Sequence, residues 1–215
     1  YLSELEYKII QTWQFKRLKR IKQLSFAQLV NPSANHTRYE HSLGARYICN
    51  EMIKSLSKTC EIEEGDKKIV RVAALLHDIG RVKYDSGKDH EKTGAREAER
   101  ILKELGVNES IIQGVKECIL LHRHSDPTLP ESIEANVLKI ADAWSHFVKP
   151  VEITCYRVKT TNDVREAVEW MKEKLERDLK FLERANRKID IRDVVEYCKK
   201  RYHHFLFLTE DSYNL

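Results

Sequence analysis

Apolar residues recur at three- and four-residue intervals along most of this chain, with polar residues between them, which is the period of helices buried on one side. Ser3-Glu-Leu-Glu6 has capping-box spacing and predicts a helix running to about Leu29, with Leu5, Ile9, Trp13, Leu18, Ile21 and Leu24 as its apolar side. After the turn signal Asn31-Pro-Ser-Ala-Asn35, a second box, Thr37-Arg-Tyr-Glu40, predicts a helix from Arg38 to about Lys58. Asp66 is positioned to cap the helix through Val70-Arg-Val-Ala-Ala-Leu-Leu-His-Asp-Ile-Gly80. Further helices are predicted from His90 to Leu105, stopping at Gly106; from an Asn108 cap to Leu121; and from Pro130 to Phe147. Val151 to Thr160 alternates weakly and reads as a strand or an irregular crossing. Asn162 caps a long charged helix to about Arg187, whose stripe is Val164, Val168, Met171, Leu175, Leu179 and Leu182. Asp190 opens the last helix, to about Phe205.

Composition supports an all-α fold. Among 215 residues there are 7 Gly and 4 Pro, too few for a loop-rich sandwich. Residues 1–150 form the expected main domain, and 151–215 a helical extension packed on it. Hydrophobic residues at 41% and charged ones at 33% indicate a globular, water-soluble chain. The net charge of +4, from 38 basic and 34 intermixed acidic residues, does not by itself predict nucleic-acid binding. The five cysteines form no Cys-x-x-Cys pair, which suits buried thiols in a reducing compartment. No stretch is apolar for long enough to cross a bilayer, and Tyr1-Leu-Ser-Glu4 does not open a signal peptide. A cytoplasmic location is therefore expected; the first residue is not Met, which leaves room for preceding residues.

Two anomalies point to chemistry. His77 and Asp78 end an apolar helix beside Leu75, Leu76 and Ile79, where polar groups are costly unless paired or coordinated. Asp142 interrupts another apolar run, Val137-Leu-Lys-Ile-Ala-Asp-Ala-Trp144. Burial with a cation accounts for both, and mixed imidazole and carboxylate donors suit Mn, Fe, Co, Ni or Zn better than Mg or Ca alone. Seven of the nine histidines fall within residues 30–147. No Gly-x-Ser-x-Gly elbow and no phosphate-binding glycine loop is present.

The order His41, His77-Asp78, Asp142, with Ala73-Ala-Leu-Leu-His-Asp-Ile-Gly80 at its centre, resembles the HD-domain metal-dependent phosphohydrolases over residues 36–147. The resemblance implies an HD-type helical bundle with additional C-terminal helices, and one divalent metal held by His41, His77, Asp78 and Asp142. Phe15-Lys-Arg-Leu-Lys-Arg-Ile-Lys-Gln-Leu24 and His36-Thr-Arg-Tyr-Glu-His-Ser-Leu-Gly44 are similar to deoxynucleoside triphosphate triphosphohydrolases of this class. That likeness implies a phosphate contact for Arg38, a place near the sugar for Gln23 and a pocket-lining place for His146. His90, His122 and His124 resemble the extra histidines of the two-metal branch, where Asp78 bridges both ions; proton transfer is their other reading. Lys83, in the loop after the central motif, can steer an anion, and Lys139 can reach phosphate.

The expected activity is hydrolysis of a nucleotide or related phosphate ester or anhydride by metal-activated water. The alternative is a two-metal phosphodiesterase or nuclease. The expected partner is a small phosphorylated substrate, with no membrane, nucleic acid not favoured, and a homo-oligomer compatible with the charged C-terminal helices.

Overall fold

The computed structural model describes residues 1–22, 37–58, 60–82, 89–123, 128–148 and 150–210. Among them every regular element is a helix, and the sole β feature is an isolated antiparallel bridge between Lys22 and Thr37. The elements are α1 (Glu4–Gln11), α2 (Trp13–Arg17), a 3-10 turn (Leu18–Arg20), α3 (Arg38–Leu56), α4 (Glu64–Leu76) and a second 3-10 turn (Ile79–Val82). They continue as α5 (His90–Glu104), α6 (Glu109–Leu121), α7 (Ile133–Val148), α8 (Pro150–Thr161), α9 (Val164–Ala185) and α10 (Arg192–Glu210). No described helix is long and apolar enough to cross a membrane.

The predicted N-terminal helix is broken at Thr12. Its backbone turns extended there (ψ 149°), and its hydroxyl donates to the Ile9 carbonyl at 2.7 Å while accepting from the Phe15 amide at 3.3 Å. The break changes which side is buried. Phe15 and Leu18 are fully enclosed, whereas Trp13, expected on the apolar side, is 60% exposed. The remainder of that predicted helix, from Gln23 to Leu29, lies outside the described residues, as does the turn 31–35.

The described residues through Ala141 form one compact unit, in which α3 packs on α4, and α6 on both α4 and α5. Its core is built from Val72, Ala73, Leu75, Leu76, Ala98, Ile101, Leu102, Ile112, Val115 and Leu138. The N-terminal helices are tied to it by Glu6, whose carboxylate accepts from Arg46 Nε at 2.7 Å and Nη2 at 3.0 Å, both groups being buried. Ser3 and Thr37 form the predicted capping boxes, and Asn108 caps α6. Asp66 is not the cap of α4: Glu63 is, and Asp66 closes the reciprocal half of that box.

From Asp142 onward the chain belongs to a second unit, in which α9 packs against α8 and α10. The stretch Val151 to Thr160 is helical, not a strand, because Pro150 starts a helix at the one position where its missing N–H is harmless. Val168, Met171, Leu175 and Leu182 are buried as predicted, but Val164 is 58% exposed. Asp163, not Asn162, caps α9 through bonds to the Arg165 and Glu166 amides.

Candidate metal centre

Two helix ends carry the same local device. α4 runs out in Ala74-Leu-Leu-His77 and α6 in Ile119-Leu-Leu-His122, each histidine continuing the right-handed backbone one residue past its helix. His77 Nδ1 bonds to the Ala74 carbonyl at 2.8 Å, and His122 Nδ1 bonds to the Ile119 carbonyl at 2.5 Å. A carbonyl only accepts, so both Nδ1 atoms carry the proton and both Nε2 atoms keep a lone pair in the neutral ring. An outer hydrogen bond of this kind fixes a metal-binding imidazole's orientation.

The other donors come from helix starts. The Thr37–Glu40 box sets the first turn of α3, which carries Arg38 and His41. Asp89 takes a left-handed backbone (φ 53°), a conformation Asp tolerates better than most residues, and so turns the chain into α5 at His90. Gly80 permits the approach of α5. A Cβ on Gly80 would lie 2.2 Å from the His90 carbonyl oxygen and 2.6 Å from the Gly94 nitrogen.

The imidazoles converge. His41 Nε2 lies 3.1 Å from His77 Nε2, and His90 Nε2 lies 3.3 Å from His122 Nε2; edge-on contact of the His77 and His122 rings at 5.4 Å links the two pairs. Asp78 Oδ2 is 3.8 Å from both His41 Nε2 and His77 Nε2. Donor atoms of His41, His77 and Asp142 all lie within 4.8 Å of one another, and so do those of Asp78, His90 and His122. Asp142 is the first residue past the boundary between the units, carried on the same continuous α7 as Ile133 to Ala141.

Asp78 is the electrostatic hinge of the set. Burial alone would raise its carboxyl pKa, but the charges of Arg38 and Arg81, with His77 and His41, outweigh that and hold it well below the usual range. Arg38 Nη1 reaches Asp78 Oδ2 at 2.6 Å and Arg81 Nε reaches Oδ1 at 2.7 Å. The donor set, four imidazoles and two carboxylates with two ring tautomers set by backbone carbonyls, fits divalent transition ions.

Of the remaining predicted site residues, Gln23, Lys83 and His124 lie outside the described residues. His90 and His122 are buried, at 7% and 3% exposed. His146 meets Asp178 of α9 at 2.8 Å. Lys139 is buried and donates to the Thr128 carbonyl at 2.9 Å. Sequence reasoning passed over Arg81, one turn after Asp78, and Asp178. The signal for Asp178 was present: a carboxylate on the Leu175–Leu182 stripe is the same anomaly that singled out Asp142.

Residues 38–146 match the family described as the HD domain, just over half of the chain, and the chain belongs to that family. An uncharacterized protein of Methanocaldococcus jannaschii is 44% identical over 101 residues, covering 45% of this chain and 21% of that protein. The deoxynucleoside triphosphate triphosphohydrolase SAMHD1 of Bos taurus is 43% identical over 76 residues, 34% of this chain and 13% of the relative. The human SAMHD1 is 42% identical over 82 residues, 37% of this chain and 13% of its own length. The chain thus matches only 13% to 21% of the length of these relatives.

Proposed function

We propose that the protein is a metal-dependent phosphohydrolase that cleaves a phosphoester or phosphoanhydride bond of a nucleotide. The observation that carries this reading is the convergence of two donor groups, His41-His77-Asp142 and Asp78-His90-His122, on a carboxylate held ionised by two arginines. A divalent ion supplies Lewis acidity toward a phosphoryl oxygen and lowers the pKa of water toward about 7.

The chain's own groups do the rest. The backbone carbonyls of Ala74 and Ile119 keep the His77 and His122 lone pairs aimed inward. Asp78 stays ionised across the neutral range and, with His90 and His122, would supply a carboxylate donor to a divalent cation. Arg38 and Arg81 bring guanidinium donors to the same carboxylate, where a phosphate oxygen can exchange for it. The SAMHD1 relatives, whose name specifies deoxynucleoside triphosphates, support the nucleotide class.

A second reading, a two-metal phosphodiesterase or nuclease, is favoured by one observation: Asp78, His90 and His122 form a second group of three donors. Metal analysis of the purified protein, with product identification from nucleoside mono- and triphosphates and from cyclic and linear diesters under Mn, Mg, Co, Ni, Zn and Fe, tests both. Release of orthophosphate, pyrophosphate or triphosphate from nucleotides supports the first, and cleavage of diesters alone supports the second. Absence of turnover with every metal and substrate sinks both.

A further inference from the structure

The buried imidazoles at the helix ends are held in two different ways. His77 and His122 close α4 and α6, so each finds a carbonyl of its own last turn for Nδ1. His90 opens α5, and Asp89 before it has a left-handed backbone, so no helical turn precedes His90 to offer such a carbonyl. Its Nε2 nevertheless faces His122 Nε2 at 3.3 Å. A ring that is to present Nε2 to a cation needs an acceptor at Nδ1 from somewhere else.

The next residue supplies one. Glu91 Oε2 lies 3.4 Å from His90 Nδ1, a little beyond regular hydrogen-bond length, and makes no hydrogen bond elsewhere among the described residues. Glu91 Oε1 accepts from Arg123 Nη1 at 3.2 Å. Glu91 is only 8% exposed, and it belongs to neither group of converging donor atoms. An ionised oxygen buried without a donor is costly, and the ring N–H is the donor placed to relieve it. The pair with Arg123, whose side chain is 43% exposed, does not by itself account for burying the carboxylate, because solvent screens such pairs. Asp78, His90, Glu91, His122 and Arg123 all belong to the same compact unit.

We infer that Glu91 is a positioning residue for His90: its carboxylate, steadied by Arg123, accepts the Nδ1 proton and so leaves the Nε2 lone pair for a cation held with Asp78 and His122. The inference rests on the proposed metal role of that second donor group. It gives His90 the tautomer that Ala74 and Ile119 give His77 and His122, through a charged acceptor that also makes the ring a stronger donor to metal.

Glu91→Leu, which removes the acceptor, and Glu91→Gln, which keeps an acceptor oxygen without the charge, are the informative variants, each checked for helicity and thermal unfolding. Nitrogen-15 imidazole spectra of chelator-treated protein, with the His90 signal identified by its loss in His90→Gln, should show Nδ1 protonated in the wild type. Glu91→Leu should move that signal toward the other tautomer, and Glu91→Gln should largely keep it, a rescue that a merely structural role does not produce. Calorimetric titration with Mn should show the ion that His90→Gln abolishes bound about tenfold or more weakly in Glu91→Leu, with the other ion unchanged. A wild-type His90 protonated at Nε2, or equal affinity for that ion in Glu91→Leu and the wild type, overturns the role of Glu91 alone. Binding of a single ion that His90→Gln leaves in place overturns the inference together with the second donor group. Neither readout uses turnover, so a failure of the proposed hydrolysis is seen separately.

Discussion

His77 faces His41 with their Nε2 atoms 3.1 Å apart, and His77 has already committed its ring proton to the Ala74 carbonyl. Two neutral imidazoles cannot both offer lone pairs across that gap without a proton or a cation between them. The His77 Nε2 lone pair is therefore open either to an N–H from His41 or to a cation, and Asp78 Oδ2, 3.8 Å from each Nε2, brings negative charge beside that gap.

Cation binding should stabilise the fold. At a free metal concentration of a hundred times Kd, one site contributes about 2.7 kcal/mol, a rise in Tm of several degrees. Differential scanning fluorimetry with and without Mn or Co, and after chelator, measures it. His77→Ala and Asp142→Ala should erase most of the shift; a shift that survives in both variants places the ion elsewhere.

The two donor groups should empty separately. His122→Ala should bind one ion fewer per chain than the wild type, by elemental analysis after equilibrium dialysis, while Asp78→Ala should lose turnover altogether. Unchanged metal content in His122→Ala, with reduced rate, would instead assign His122 to proton transfer.

Gly80 and Gly44 should respond to alanine in opposite directions. At Gly80 the new methyl would meet the His90 carbonyl and the Gly94 nitrogen, backbone atoms that cannot step aside. The expected cost is about 3 kcal/mol, with α5 and His90 displaced and metal affinity reduced. At Gly44, within α3, nothing lies within 4 Å of the added carbon, so Gly44→Ala should stabilise by about 0.5–1 kcal/mol. Urea denaturation of both variants tests the pair.

Glu6 makes the stability acid-sensitive. Burial raises its pKa, but bonds from Arg46 and Ser3 outweigh this, leaving it below its ordinary 4.5. A depressed carboxylate contributes in full above its unfolded value, and the contribution is lost as pH falls through the folded value. Glu6→Gln should therefore be less stable than wild type by about 3 kcal/mol near pH 7, with the gap closing below about pH 4. A gap that stays constant down to about pH 3 would mean that the ion pair contributes nothing.

Helix ends and the central motif were readable because both are local. The Thr37–Glu40 box joins residues three apart, and the Asn108 cap and the Gly106 stop (φ 69°) likewise depend on near neighbours. His77, Asp78 and Asp142 stood out as polar groups in apolar runs, a signal of burial that needs no coordinates. The same signal at Asp178 was overlooked amid a densely charged helix.

What the sequence by itself determined, then, was the helical class, most helix boundaries and the principal metal-binding candidates, since hydrogen bonds and burial patterns within a few residues act through spacing alone. The tertiary structure decided the break at Thr12, the helical state of residues 151–160, the gathering of Asp78 with His90 and His122, and the pairing of His146 with Asp178. Those depend on which helix ends meet after packing, and side chains 32 residues apart, as in His90–His122 and His146–Asp178, leave no periodic trace of their meeting in the chain.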